Sequence, residues 1–282
     1  MSFEQKNFSL YKGESSGAVY FRPMQDRHTN LQRYFEEQAV TTRKFVIPYI
    51  EPLKPMAKGL RVLEIGCGTG GNMVPFLEAG CLVTGVDISE TSIERARQFL
   101  GPREGLTLIA DDIYNRTEAD GVFDVIIMRD VIEHIHNQEK FMAFVKRFMA
   151  PGAVFFLGFP PWYNPFGGHQ QIAKNKLLSK LPFYHILPVW LYKAMLKMGG
   201  ENERTIEALL EIKETGISIE RFERICRHEN YEIARKTLYF INPNYETKFG
   251  LKPRIQWGVL TAIPFLRNFF VTAGYYILVT SE

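Results

Sequence analysis

From Leu60 onward the chain alternates short apolar runs with amphipathic stretches. The apolar runs fall at about 61–65, 81–87, 106–110, 123–128 and 152–159, each of strand length. Between them, apolar residues at helical spacing predict helices at about 71–79, 89–100 and 138–149. Such alternation implies parallel strands joined by right-handed crossovers, a doubly wound α/β sheet. Further strands at about 231–241 and 269–280, with a helix near 255–267 between them, bring the expected sheet to seven strands, mostly parallel.

Two segments break the pattern. Residues 1–58 read as a helical lead-in, with Leu31, Tyr34, Phe35, Gln38 and Ala39 at helical spacing and Pro48, Pro52 and Pro55 closing it. Residues 160–217 hold FPPWYNPFGGHQQ and two or three helices, with no convincing strand. The expected organisation is an N-terminal lid (1–58) and a main domain (59–282) carrying a helical insertion at about 160–217.

Composition narrows the class. The 282 residues suit one large domain, and the 46% apolar and 23% charged content is that of a globular protein with an ordinary core. A net charge of +3 gives no case for nucleic acid as a partner. Three cysteines without CxxC spacing, and a polar first 16 residues, predict a reducing, cytoplasmic setting. No run of 18 uncharged apolar residues predicts a spanning helix. Charge is uneven, however. Residues 166–200 hold five lysines and no acid, among them Trp190, Leu191, Met195 and Leu196, and residues 247–281 hold two Lys, two Arg and no acid. Solvated helix faces explain this, as does a basic, apolar surface for an anionic or lipid-linked substrate in peripheral contact with a membrane.

The densest chemistry is VLEIGCGTGG at residues 62–71, a glycine turn between a predicted strand and a predicted helix. Glycine admits positive φ and close approach of a ligand, and the helix N-terminus offers unpaired N–H groups. Gly66, Gly68 and Gly71 satisfy the G-x-G-x-x-G dinucleotide fingerprint, while Glu64, Gly66, Gly68 and Gly70 satisfy E-x-G-x-G-x-G. Asp87, 21 residues after Gly66, ends the next strand and suits ribose hydroxyls in either class. The turn alone leaves a nicotinamide cofactor and S-adenosylmethionine both open.

In order, VLEIGCGTG, VTGVDIS, LIADDIY and FDVIIMRDVIEHI resemble the motif set of class I S-adenosylmethionine-dependent methyltransferases, over roughly residues 60–160. The resemblance implies a Rossmann-like methyltransferase fold and S-adenosylmethionine as cofactor. It implies that Glu64 orients the turn and faces the methionine amino group, with Gly66, Gly68 and Gly70 passing under the cofactor. Asp87 would take the ribose hydroxyls and Ile88 pack on adenine. Asp112, with Asp111 as runner-up, would accept from adenine N6, and Ile113 would offer a backbone N–H. Cys67, where smallness suffices, and Arg129 complete the cofactor side.

After the fourth strand, Asp130, Glu133 and His134 stand at i, i+3 and i+4, one face of a helical turn at the ligand edge of such a sheet. Three readings are open. Glu133 and His134 shape the pocket through local hydrogen bonds; His134 or His169 serves as general base on an acceptor hydroxyl; or the group holds a divalent metal. D-x-x-E-H resembles the E-x-x-E-H cluster of ubiquinone-pathway and small-RNA O-methyltransferases, which implies magnesium or a similar ion on Asp130, Glu133 and His134, with His169 as a fourth ligand. The stiff loop ending in His169 is expected to form the acceptor wall, and the insertion to bind the acceptor. The activity expected is O-methylation of a small molecule, lipid or glycan. RNA 2′-O-methylation, a non-catalytic cofactor-binding protein and an NAD-dependent oxidoreductase are the alternatives.

Overall fold

The computed structural model describes residues 30–118 and 121–280. The lead-in expected over residues 1–29 lies outside them. The remainder is helical: α1 (Leu31–Thr41) passes through a π-helical turn (Thr42–Val46) into α2 (Ile47–Ile50).

The sheet has eight strands in the order β3-β2-β1-β4-β5-β8-β6-β7. They are β1 (Arg61–Ile65), β2 (Leu82–Asp87), β3 (Leu106–Ala110), β4 (Phe123–Arg129), β5 (Met149–Phe159), β6 (Tyr231–Ile241), β7 (Arg254–Ile255) and β8 (Ala273–Thr280). The first five pair in parallel; β8 runs antiparallel between β5 and β6. The eighth strand is the two-residue β7, antiparallel to β6, where the sequence suggests a helix. That helix reduces to α9 (Gly258–Thr261) and a 3-10 turn (Leu266–Phe270), because Pro264 removes a donor and blocks continuation.

Alternation along the strands feeds two cores. On β5, Phe155 and Leu157 enter one face while Val154 and Phe156 enter the other. Each fully buried Phe of this kind contributes about 1.5–3 kcal/mol. α1, α2, α3 (Val74–Glu78) and α4 (Glu90–Leu100) cover the face with Phe156. α5 (Gln138–Val145) and α8 (Ile219–His228) cover the face with Phe155. The β3–β4 link carries only a 3-10 turn (Ile113–Asn115) among its described residues, and a cavity of about 470 Å³ lined by Leu63, Val86, Ile109 and Phe123 remains on that side.

The insertion has a third core of its own, in which Tyr184, Tyr192, Leu196, Ile206 and Leu209 join α6 (Val189–Met198) to α7 (Glu203–Thr215). No helix among the described residues is long and apolar enough to cross a membrane. Cys67, Cys81 and Cys226 are free and buried.

Candidate functional site

The sequence-selected site residues lie near the carboxyl ends of the parallel strands and in the loops that follow them. Glu64, on β1, is 1% exposed. Its Oε1 accepts from Asn72 Nδ2 at 2.7 Å, whereas Oε2 has no hydrogen-bond partner among the described residues. Burial pushes its carboxyl up to about 8, against the Asn72 hydrogen bond and the Arg129 charge. A buried, unpartnered carboxylate oxygen is an acceptor awaiting a cationic donor. Asn72 Oδ1 in turn accepts from Arg129 Nη1 at 2.7 Å and Thr42 Oγ1 at 2.9 Å. Arg129 thus lies against the Glu64–Asn72 pair.

Asp87, at the end of β2, accepts from the Gly68 N–H at 2.8 Å and the Ser89 N–H at 2.9 Å. It shapes the glycine turn while each oxygen keeps a lone pair for a ligand. Ile88 beside it is 77% exposed, an apolar face with nothing packed on it. A Cβ at Gly68, where φ is 54°, would meet no atom within 4 Å, so this point of the turn opens onto free space. Gly71 differs: a Cβ there would fall 2.4 Å from the Phe35 carbonyl oxygen. The fourth glycine makes room for α1. Cys67 is buried, with Sγ packed under Gly85.

At the end of β3 the two acids part. Asp111 Oδ1 accepts from the Asp112 N–H and Asn115 Nδ2, and Oδ2 faces Arg116 at 3.5 Å; the Asn115 hydrogen bond foremost holds its carboxyl below the usual range. Asp112 caps the 3-10 turn through Oδ1 to the Tyr114 N–H, and its Oδ2 carries none of these bonds. Ile113 opens that turn, so its N–H is not used within it.

Past β4 the predicted helical face does not form. Asp130 takes a left-handed φ of 54° and its N–H bonds to the Gly158 carbonyl; the turn that follows is 3-10, Ile132–His134. Asp130 therefore stays out of the cluster with Glu133 and His134, and its charge also acts on Tyr34, Tyr245 and Tyr275. His169 takes its place. Ligand atoms of Glu133, His134 and His169 all lie within 4.8 Å of one another. Glu133 is 2% exposed and, among the described residues, neither carboxylate oxygen has a hydrogen-bond partner; His169 Nε2 stands 3.8 Å from Oε1. Burial, then the Asp130 charge, holds the Glu133 carboxyl well above the usual range. The His134 and His169 rings meet edge to face at 4.9 Å; the His134 side chain remains exposed, and partial desolvation, opposed by the Asp130 charge, lowers its pKa. Among the described residues, this carboxylate with two imidazoles can hold a proton or a divalent ion.

Several positioning groups carry no sequence signal. Gln138 Nε2 donates to the Ile132 and Thr215 carbonyls, and Thr215 Oγ1 donates to the Glu133 carbonyl at 2.6 Å, so the insertion clamps the 132–134 turn. His169 stands at φ 52° one residue after Gly168, whose absent side chain makes room for the His185 ring. His185 donates from Nε2 to the Trp162 carbonyl at 2.8 Å and accepts at Nδ1 from Gln170, which also donates to the Pro165 carbonyl. Burial holds the His185 imidazole down at about 4, neutral as this arrangement requires. His136 and His228 are exposed and pair only with nearby glutamates, and His28 lies outside the described residues.

A methyltransferase-domain family model matches residues 31–173. Over 103 residues the chain is 36% identical to the ubiquinone biosynthesis O-methyltransferase of Mesorhizobium japonicum, covering 36% of this chain and 41% of that one. Over 143 residues it is 30% identical to the protein of the same name from Brucella ovis, covering 49% and 54%. The chain thus spans about half or less of the curated relatives it matches. Two solved structures share the fold. The plantazolicin methyltransferase BpumL, in complex with a pentazolic desmethylPZN analog and SAH, superposes with a TM-score of 0.53 at 14% identity, over 91% of this chain and 88% of that one. The magnesium protoporphyrin IX methyltransferase ChlM of Synechocystis, with bound SAH, gives 0.50 at 17% identity, over 95% and 90%. With an eight-stranded, mostly parallel sheet and a glycine turn leading out of β1, the chain belongs to the methyltransferase-domain family and has its class I, Rossmann-like fold.

Proposed function

We propose that the protein transfers a methyl group from S-adenosylmethionine to a hydroxyl of a small-molecule acceptor, with lipids and glycans within the acceptor class. The observation that carries the cofactor assignment is the unpartnered Oε2 of buried Glu64, an acceptor suited to the ammonium of the methionine end. Asp87 receives the ribose hydroxyls, Ile88 covers one face of adenine, and Asp112 Oδ2 with the Ile113 N–H reads its edge. Gly68, where a Cβ would meet open space, leaves the turn low beneath the ligand, while Gly66 and Gly70 take positive φ with Val131, Leu100 and Met73 packed against them; Cys67 and Arg129 support the cradle from below. When bound, the cofactor supplies a methyl group on a sulfonium that already carries its leaving group.

The chain must then hold the acceptor hydroxyl in line, exclude water and take its proton. His169 takes that proton, with Glu133 behind it stabilising the imidazolium and His134 walling the pocket as a neutral ring. The 31–50 helices and the insertion close over the two substrates. The likeness to ubiquinone-pathway O-methyltransferases supports a hydroxyl acceptor. Calorimetry with S-adenosylhomocysteine tests the cofactor: binding by the wild type, lost in Asp87→Ala, supports it, and NADH binding instead overturns it. Transfer of a labelled methyl group into cell extract, lost in His169→Ala, tests the chemistry.

A second reading is favoured by the same cluster. One carboxylate and two imidazoles within 4.8 Å form a donor set for a divalent ion that would polarise the acceptor hydroxyl. Its ligands would be Glu133, His134 and His169.

A further inference from the structure

Between β6 and β8 the chain forms a lobe with both feet pinned. At one foot the buried Gln256 donates from Nε2 to the Phe270 carbonyl at 2.7 Å, and its Oε1 accepts from the Trp257 N–H. At the other foot Arg267 pairs with Glu220 at 2.8 Å and Glu223 at 3.1 Å, and buried Asn268 donates to Glu220 and accepts from the Ile219 N–H. Residues 257–266 between these anchors include no charged side chain. Trp257 is 77% exposed, Val259 78% and Phe265 66%, with Ile263 and Leu266 also exposed. Phe265 is held at a left-handed φ of 64°, a strained setting for an aromatic residue turned to solvent.

The surroundings are cationic. Lys252 and Arg254 are exposed at the base of the lobe, and no acid occurs from 247 to 281. The nearby acids Glu220 and Glu223 are taken up by Arg267 and Asn268. An apolar tip with a basic collar complements an anionic lipid surface. Side chains more than three-quarters exposed project from the protein and line no groove, which suits a fluid interface better than a rigid partner.

We infer that this lobe docks the protein on an anionic membrane surface, with Trp257, Val259 and Phe265 entering the acyl boundary and Lys252 and Arg254 meeting the headgroups. Gly274 at the root of β8 pairs with Phe159 at the end of β5, so the lobe rises from the ligand edge. Phe269 beside it reaches the rings of Tyr163, at 5.7 Å, and Phe183. Docking would bring a lipid-phase acceptor to the loop that carries His169; that consequence rests on the proposed function, whereas the docking does not.

The test is sedimentation of the full chain with vesicles of phosphatidylcholine alone and of equal parts phosphatidylcholine and phosphatidylglycerol. Binding is expected to the anionic vesicles, weakened by salt. Trp257→Ser with Phe265→Ser should weaken it about tenfold or more without moving the unfolding transition. Lys252→Glu with Arg254→Glu, confined to exposed positions, should weaken it comparably. Brominated acyl chains should quench emission in wild type and Trp190→Phe, and far less in Trp257→Phe. Absent sedimentation, undiminished binding by either double variant, or self-association that the apolar double variant abolishes in place of vesicle binding would overturn the inference.

Discussion

His169 Nε2 stands 3.8 Å from Oε1 of Glu133, two groups brought together from the loops after β5 and β4. Burial and the Asp130 charge favour the neutral form of this carboxyl, so a proton arriving on His169 is what would draw Glu133 into its charged, pairing form. If His169 is the base, His169→Ala lowers kcat by ~100- to 10,000-fold and leaves S-adenosylhomocysteine affinity within about twofold. Glu133→Gln keeps the volume but cannot ionise to pair with a protonated His169, and should lower kcat. Single-turnover methyl transfer measured across pH checks both, and full turnover by His169→Ala would refute the assignment.

Glu64 makes stability and cofactor binding depend on pH in opposite ways. Burial raises its carboxyl in the folded protein from 4.5 to about 8. The favourable contribution of the retained proton is therefore complete below the unfolded value and disappears as pH rises through about 8. Glu64→Gln, which has no proton to lose, should be more stable than wild type at pH 9 by a margin larger than at pH 5, on the order of a few kcal/mol. A cationic amine on Oε2 favours the charged form, so cofactor binding near neutral pH should release a proton. Calorimetry in buffers of different ionisation enthalpy measures that release, and Glu64→Gln should abolish it and weaken affinity.

The metal reading separates cleanly from the base reading. Under it, dialysis against a strong chelator abolishes turnover, one divalent ion restores it, and the ion binds with about unit stoichiometry in wild type. His134→Ala and Glu133→Gln should each weaken that binding ~10-fold or more. Unchanged activity in chelator, with no ion detected by elemental analysis, leaves His169 as base.

Gly168 and His185 form a steric pair behind the site. A Cβ on residue 168 would fall 2.3 Å from His185 Cβ. Gly168→Ala is expected to destabilise by about 1–3 kcal/mol and to lower kcat through displacement of His169. Gln170→Leu, which leaves the Pro165 carbonyl and His185 Nδ1 without their donor, should act likewise. Thermal unfolding and kcat measured together show whether the two losses track.

The strands of the parallel half were legible because each is an apolar run of the right length between turn signals, and the order of four motifs pointed to the fold. The cofactor edge was legible for the same reason, since Glu64, Asp87 and Asp112 stand at fixed distances from strand ends. Asp130 departs from the helical face that its spacing predicts because its left-handed φ interrupts the backbone, and periodicity carries no sign of φ. His185, Gln170 and Thr215 are silent because the bonds that matter, His185 to Gln170 and Thr215 to Glu133, span 15 and 82 residues, beyond any local pattern. The two-residue β7 is too short to show alternation at all. Gly71, counted among the letters of a dinucleotide fingerprint, is required by the carbonyl of Phe35.

Asn72 has a single amide, and three parts of the molecule meet on it: β1 through Glu64, the helical lead-in through Thr42, and β4 through Arg129. If the lead-in closes over the site as proposed, access and grip are one equilibrium. Lifting the lead-in withdraws the Thr42 hydrogen bond from the group that orients Glu64, and whatever tightens the hold on Glu64 must, by reciprocity, hold the lead-in down. A spent cofactor would then leave by the same motion that loosens its anchor.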